Sequence, residues 1–167
     1  PFGRVHDKNP EIIELANQLG RSPGSISMKL ANFGSLDPAL RARGIVGAPH
    51  TGKLDKEVWD DFFGHLDDRA FESEKKLADL EKISLEKKFN IPESDLPEGK
   101  ERERVIRARV NQDYFRKMIL SSYDNACAIT GIRIPALLIA SHIRPWGKDA
   151  ANRMNPRNGL LLNALHD

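Results

Sequence analysis

Residues 127–167 read CAITGIRIPALLIASHIRPWGKDAANRMNPRNGLLLNALHD, and the fold of the last part of the chain turns on them. Positions 136–143 (ALLIASHI) are apolar and partly β-branched, which predicts a strand ending near His142. Pro145, Gly147 and Pro156 break up 144–157, so that stretch reads as a loop. Asn158-Gly159 then opens a second apolar run, 160–162, expected to be a second strand. Three polar side chains punctuate this pattern: His142, Asn158 and, eight residues later, His166.

Upstream of this hairpin, 101–123 should be one helix, with Val105, Val110, Phe115, Met118, Ile119 and Tyr123 among its apolar residues. Its segment 102–117 (RERVIRARVNQDYFRK) carries six Arg or Lys and two acids. Arg107, Arg109 and Arg116 are candidate phosphate contacts, because the guanidinium fork matches phosphate oxygens. Pairing of some of them with Glu101, Glu103 or Asp113 is the competing expectation. Residues 90–99 (NIPESDLPEG) hold two prolines and several acids and read as a linker. The expected division is therefore a helical domain over 1–90, a linker over 91–99 and a module over 100–167.

The N-terminal part predicts two helices within 9–36. Asn9-Pro10 and Ser22-Pro23 each place a capping side chain before proline at the first helical position, and Gly20 and Gly34 close the two runs. Ile12, Ile13, Leu15, Ala16 and Leu19 give the first helix an apolar stripe. The pair resembles a helix-turn-helix, in which Arg21, Ser22, Ser25, Ser27 and Lys29 would face DNA; a plain helical hairpin with solvated serines is equally compatible. Residues 37–54, with Arg41, Arg43, Gly44, Gly47 and Pro49, read as a surface loop. Residues 54–89 read as a helical stretch whose aromatics (Trp59, Phe62, Phe63, Phe71) pack inward and whose later charges form a salt-bridged solvated face. His6, His50 and His65 join no constellation.

The chain of 167 residues has 40% hydrophobic and 30% charged residues, enough to bury a core. No apolar run approaches the ~20 residues of a membrane span, and no secretory signal opens the chain, so a membrane partner is not expected. One cysteine excludes an internal disulfide framework and any zinc site with several cysteine ligands, and it implies a cytoplasmic protein whose modules are held by their hydrophobic cores. The net charge of +2 is bland, so the basic segment 102–117 carries the nucleic-acid signal rather than the average.

Together, the Cys-Ala-Ile-Thr-Gly lead-in from Cys127, Ser-His-Ile-Arg-Pro around His142, Asn-Pro-Arg-Asn-Gly ending at Gly159, and the order His142, Asn158, His166 resemble the HNH endonuclease family, in its bacterial restriction-type branch. The resemblance implies a ββα-metal fold: two antiparallel strands, then a helix beginning near His166. The fold class expected is thus α+β, mostly α. It also implies a DNA endonuclease acting on double-stranded DNA, with one divalent ion, Mg²⁺ by expectation, and no structural zinc. His142 resembles the general base that activates water, Asn158 the residue that orients the imidazole or the loop, and His166 a ligand to the metal. Arg144 is a further candidate contact to DNA. A homodimer is one way to cut both strands.

Two departures belong to the same reading. Ser141 stands where many such sequences place Asp or His as a metal ligand, which implies fewer protein ligands and more water. The sequence stops one residue after His166, so a further acid expected in the following helix is missing, is replaced by Asp167, or lies beyond a fragment's end. The alternative function is a non-catalytic DNA-binding module, sensing modified bases, attached to a truncated or inactive nuclease remnant. An RNA or homing-type nuclease is a third.

Overall fold

The structure, a computed structural model, describes residues 5–42, 44, 46–47 and 51–167; Arg43, Pro49 and His50 lie outside the described residues. The chain forms two compact units, Pro1–Leu66 and Asp67–Asp167. It is mostly helical with one two-stranded sheet, the α+β class expected.

In the first unit, local capping sets the helix starts. Asn9 accepts a hydrogen bond from the Glu11 amide (3.0 Å) and opens α1 (Pro10–Gln18), which Gly20 closes at φ +60°. Ser22 does the same for α2 (Pro23–Leu36), accepting from the Ser25 amide at 3.2 Å. Both side chains satisfy helix-end amides that have no partner inside the helix. Part of the expected 37–54 loop is instead helical: α3 (Pro38–Ala42) starts directly after Asp37, with proline at its first position. Gly47 lies hard against α2, since a Cβ there would come within 2.6 Å of the Ser35 nitrogen. α4 (Lys53–Gly64) places Trp59 between Phe33 and Phe63, at ring separations of 6.5 and 4.7 Å. It also buries Asp55, which takes Lys29 at 2.7 Å and Asn32 at 3.3 Å. The Lys29 contact is the main reason that its carboxyl sits below the usual range.

The second unit opens with α5 (Leu66–Glu81) and the short α6 (Leu85–Lys88). The single helical stretch expected over 54–89 is therefore interrupted: His65 leaves helical geometry, and Lys82 and Asn90 adopt left-handed backbone at φ +55° and +50°. Ser84 then re-caps the chain by accepting from the Lys87 amide. These turns fold 85–96 back on α5 and on α7 (Lys100–Ser122), where Ile91 is buried with Phe71, Ile106 and Val110, and Leu96 packs against them. Arg102 adds ion pairs to Glu86 and Glu93. The 91–99 stretch, expected as a linker, thus contributes to the core of this unit.

Below that cluster, α7 carries Phe115 and Ile119, both fully buried, onto a hairpin of β1 (Leu138–His142) and β2 (Gly159–Asn163). The strands are antiparallel, with Leu138 opposite Asn163 and His142 opposite Gly159. Gly159 has no room for a side chain: a Cβ there would collide with Ile119 and lie 2.8 Å from the Phe115 ring. The Tyr123 hydroxyl donates to the Gly159 carbonyl at 3.2 Å, tying the end of α7 to the start of β2. Residues 164–166 form a turn, and α7, which packs on the sheet, precedes it in the chain. No helix among the described residues is long and apolar enough to cross a membrane.

Candidate active site

His142 ends β1 half-buried, and three neighbours hold its ring. Phe115 stacks beneath it, with ring centres 3.8 Å apart and planes 15° apart. Trp146 meets it edge-on at 5.4 Å. Its Nε2 lies 2.9 Å from the carbonyl oxygen of Arg153. A carbonyl only accepts, so Nε2 carries the proton, and a neutral imidazole then has its lone pair on Nδ1.

The loop that supplies Arg153 is closed by Asn158, which is buried. Its side-chain oxygen accepts from the Arg144 amide (2.8 Å), and its nitrogen donates to the carbonyls of Arg144 (3.1 Å) and Asn152 (3.2 Å). One amide group therefore satisfies three backbone groups on opposite sides of the loop. Its own carbonyl also accepts from Ile143, next to the imidazole, at 2.9 Å. Of the two roles expected for Asn158, the contacts are those of holding the loop; none runs to the ring of His142. Asp149 braces the same loop, accepting from Asn152 and pairing with Arg144 at 3.1 Å. These contacts, Asn152 first, hold its carboxyl below the ordinary range.

His166 is elsewhere. Its Nδ1 donates to the side-chain oxygen of Asn163 at 2.9 Å, which leaves Nε2 free on an exposed ring. Asn163 pairs with Leu138, four residues up the strand from His142. At the strand rise of about 3.3 Å per residue, that is roughly 13 Å along the hairpin. The structure thus brings His142 and Asn158 together and leaves His166 at the opposite end. Among the described residues no three His, Cys, Asp or Glu side chains converge as a metal site. The donor set present does not fit a metal centre shared by His142 and His166, and Ser141 sits in mid-strand opposite Leu160.

That opposite end is organised around Cys127. Its thiol accepts from the Asn163 amide (3.2 Å) and the Thr130 amide (3.5 Å), while the Asn163 side chain donates to the Thr130 hydroxyl (3.0 Å). Hydrogen bonding, from Thr130 above all, lowers the thiol to about 7 against the opposing effect of burial. The lone cysteine, a free thiol, is thus the acceptor at the centre of a closed turn.

The candidate DNA contacts divide by how their charges are engaged. Arg107 pairs with Asp68 and lies over Phe71 at 4.5 Å, and Arg116 donates to the carbonyls of Leu138 and Pro135, bracing the start of β1. Arg109 is exposed and paired with no carboxylate among the described residues. In the first unit Arg21, Ser22 and Ser25 are exposed, Lys29 is held by Asp55, and the Ser27 hydroxyl donates to the Val5 carbonyl at 3.3 Å. Sequence reading missed two residues of the His142 environment, Phe115, taken as core alone, and Arg153, whereas Trp146, whose residue type suits packing of the loop, does pack there. An aromatic and a basic residue inside the loop between His142 and Asn158 were the available signal.

Residues 127–167 match the HNH endonuclease family. Nucleases of this family act on DNA and generally use a divalent metal ion. No curated protein and no solved structure matches the chain.

Proposed function

We propose that this chain is a DNA endonuclease of restriction type, in which His142 is the general base for phosphodiester hydrolysis. The observation that carries the reading is the bond from Nε2 of His142 to the Arg153 carbonyl, which leaves Nδ1 as the proton acceptor. A water oxygen attacks phosphorus while its proton passes to Nδ1. The P–O3′ bond opens, its electron pair goes to O3′, and O3′ takes a proton from solvent. Phe115 and the Arg153 carbonyl fix the ring during the transfer, and Asn158 fixes the loop that provides that carbonyl. Arg21, Ser22, Ser25 and Lys29 from the first unit, with Arg109 and Arg144 from the second, are the proposed contacts to double-stranded DNA. The expected Mg²⁺ would take Nε2 of His166 as a protein ligand, and no step above runs through it.

The test is duplex cleavage by the protein with Mg²⁺ present. His142→Ala should lower the rate by about 100-fold or more, the usual contribution of a positioned acid or base, while duplex affinity stays near wild type. Unchanged cleavage would sink the assignment. The separation of His166 from His142 favours a second reading, a DNA-binding module that does not cut. Tight duplex binding without cleavage by the unaltered protein would establish that one.

A further inference from the structure

We infer that Arg153 is the phosphate-binding cation of the His142 site, an assignment that rests on the nuclease reading above. Four other arginines of this unit have their guanidinium groups engaged, Arg102 with Glu86 and Glu93, Arg107 with Asp68, Arg144 with Asp149, and Arg116 with two carbonyls, while Arg109 and Arg157 are exposed to solvent. Arg153 is half-buried, pairs with no carboxylate among the described residues, and has a buried Nε with no acceptor. Its guanidinium lies over the face of Trp146, 5.2 Å from the ring centre. An exposed arginine without a partner is solvated at no cost. A buried N–H without an acceptor is not, and an acceptor that arrives from outside would satisfy it.

Its position says what that acceptor is. The backbone carbonyl of Arg153 holds Nε2 of His142, and Trp146 touches both the imidazole and the guanidinium. The unpaired cation and the proposed base are therefore two neighbours of one indole ring. A guanidinium offers planar paired donors that match two oxygens of a phosphodiester, and in a site partly closed to water it stabilises the charge that builds on them during attack. Arg153 binds the non-bridging oxygens of the phosphate that the His142-activated water attacks, with Trp146 as the platform that keeps the guanidinium in place.

Cleavage and binding are measured on the same protein with three variants, His142→Ala, Arg153→Met and Arg153→Lys. Binding uses a duplex in EDTA across a range of salt concentrations. Arg153→Met keeps an apolar stem on Trp146 and should fold as wild type. It should lose about 100-fold or more in cleavage, the scale seen on removing one transition-state donor. It should also flatten the slope of log affinity against log salt by about 0.9, one phosphate contact, a change that a merely structural role would not produce. Arg153→Lys, which keeps the charge without the fork, should fall between. Wild-type cleavage by Arg153→Met beside a dead His142→Ala would overturn this inference and leave the base assignment standing. If the unaltered protein binds DNA but never cuts, the nuclease reading fails and the salt slope alone decides: an unchanged slope removes Arg153. Should Arg153→Met not fold, Arg153→Lys decides, and full cleavage with an unaltered slope refutes the assignment.

Discussion

At one end of the hairpin His142 faces Gly159; at the other, Leu138 faces Asn163. The bonds at the first end run from one amide side chain, Asn158, to loop backbone and from His142 Nε2 to the Arg153 carbonyl, which leaves the imidazole Nδ1 and the Arg153 Nε without a partner among the described residues. At the second end, Cys127, Thr130 and Asn163 bond to one another, so the turn is satisfied and only the ring of His166 projects from it. Satisfied groups give rigidity, whereas groups left with capacity are what a substrate can use. Under the proposed nuclease reading, the contrast places chemistry at the Asn158 end and support at the Cys127 end.

The largest expected effect falls on the reactive end. Asn158→Ala leaves three backbone groups without their partner, and at roughly 1 kcal/mol each the unfolding free energy should drop by about 3 kcal/mol. Cleavage should fall with it, and denaturant titration that finds under ~1 kcal/mol would mean that the loop closes without Asn158. Gly159→Ala comes next. The new methyl meets Ile119 and Phe115, so a loss of about 2 kcal/mol is expected from overpacking, together with a change in the ring-current shift that Phe115 imposes on His142. A variant with unaltered His142 resonances would contradict the close fit.

At the supporting end, Cys127→Ala removes one acceptor shared by two amides and should cost about 1–2 kcal/mol, while DNA cleavage per folded molecule stays at wild type. Cleavage that fell further than the folded fraction would erase the distinction between the ends. The smallest effect is one of pH. The Asp149 carboxyl is held low by Asn152 and Arg144, so its contribution is present above the unfolded value of about 3.9 and is lost as pH falls through the lower folded value. The stability difference between wild type and Asp149→Asn should therefore shrink only below about pH 4. A difference that vanished near pH 6 would point to another group.

Much of this was legible where the physics is local. Asn9 and Ser22 cap the helices they precede, and apolar runs either side of a proline-rich loop formed the two strands. What sequence could not give was pairing over distance. Phe115 lies on α7 and His142 on β1, and nothing in their spacing says that the rings stack. Arg107 is expected either at phosphate or beside Glu101, Glu103 or Asp113, and the acid that pairs with it is instead Asp68, 39 positions earlier. The 91–99 stretch looked like a linker by composition, yet two apolar side chains and one arginine were enough to draw it into the core. His166 shows the limit most directly, because the interval from Asn158 does not specify strand register, and register alone places it away from His142.

The turn around Cys127 has a practical consequence. Its order comes from the chain's own groups, the Cys127 thiol, the Thr130 hydroxyl and the Asn163 amide, bonded to one another. Chelator titration followed by both unfolding and cleavage therefore asks two questions that merge in zinc-stapled modules, whether the polypeptide is intact and whether its reaction needs a metal.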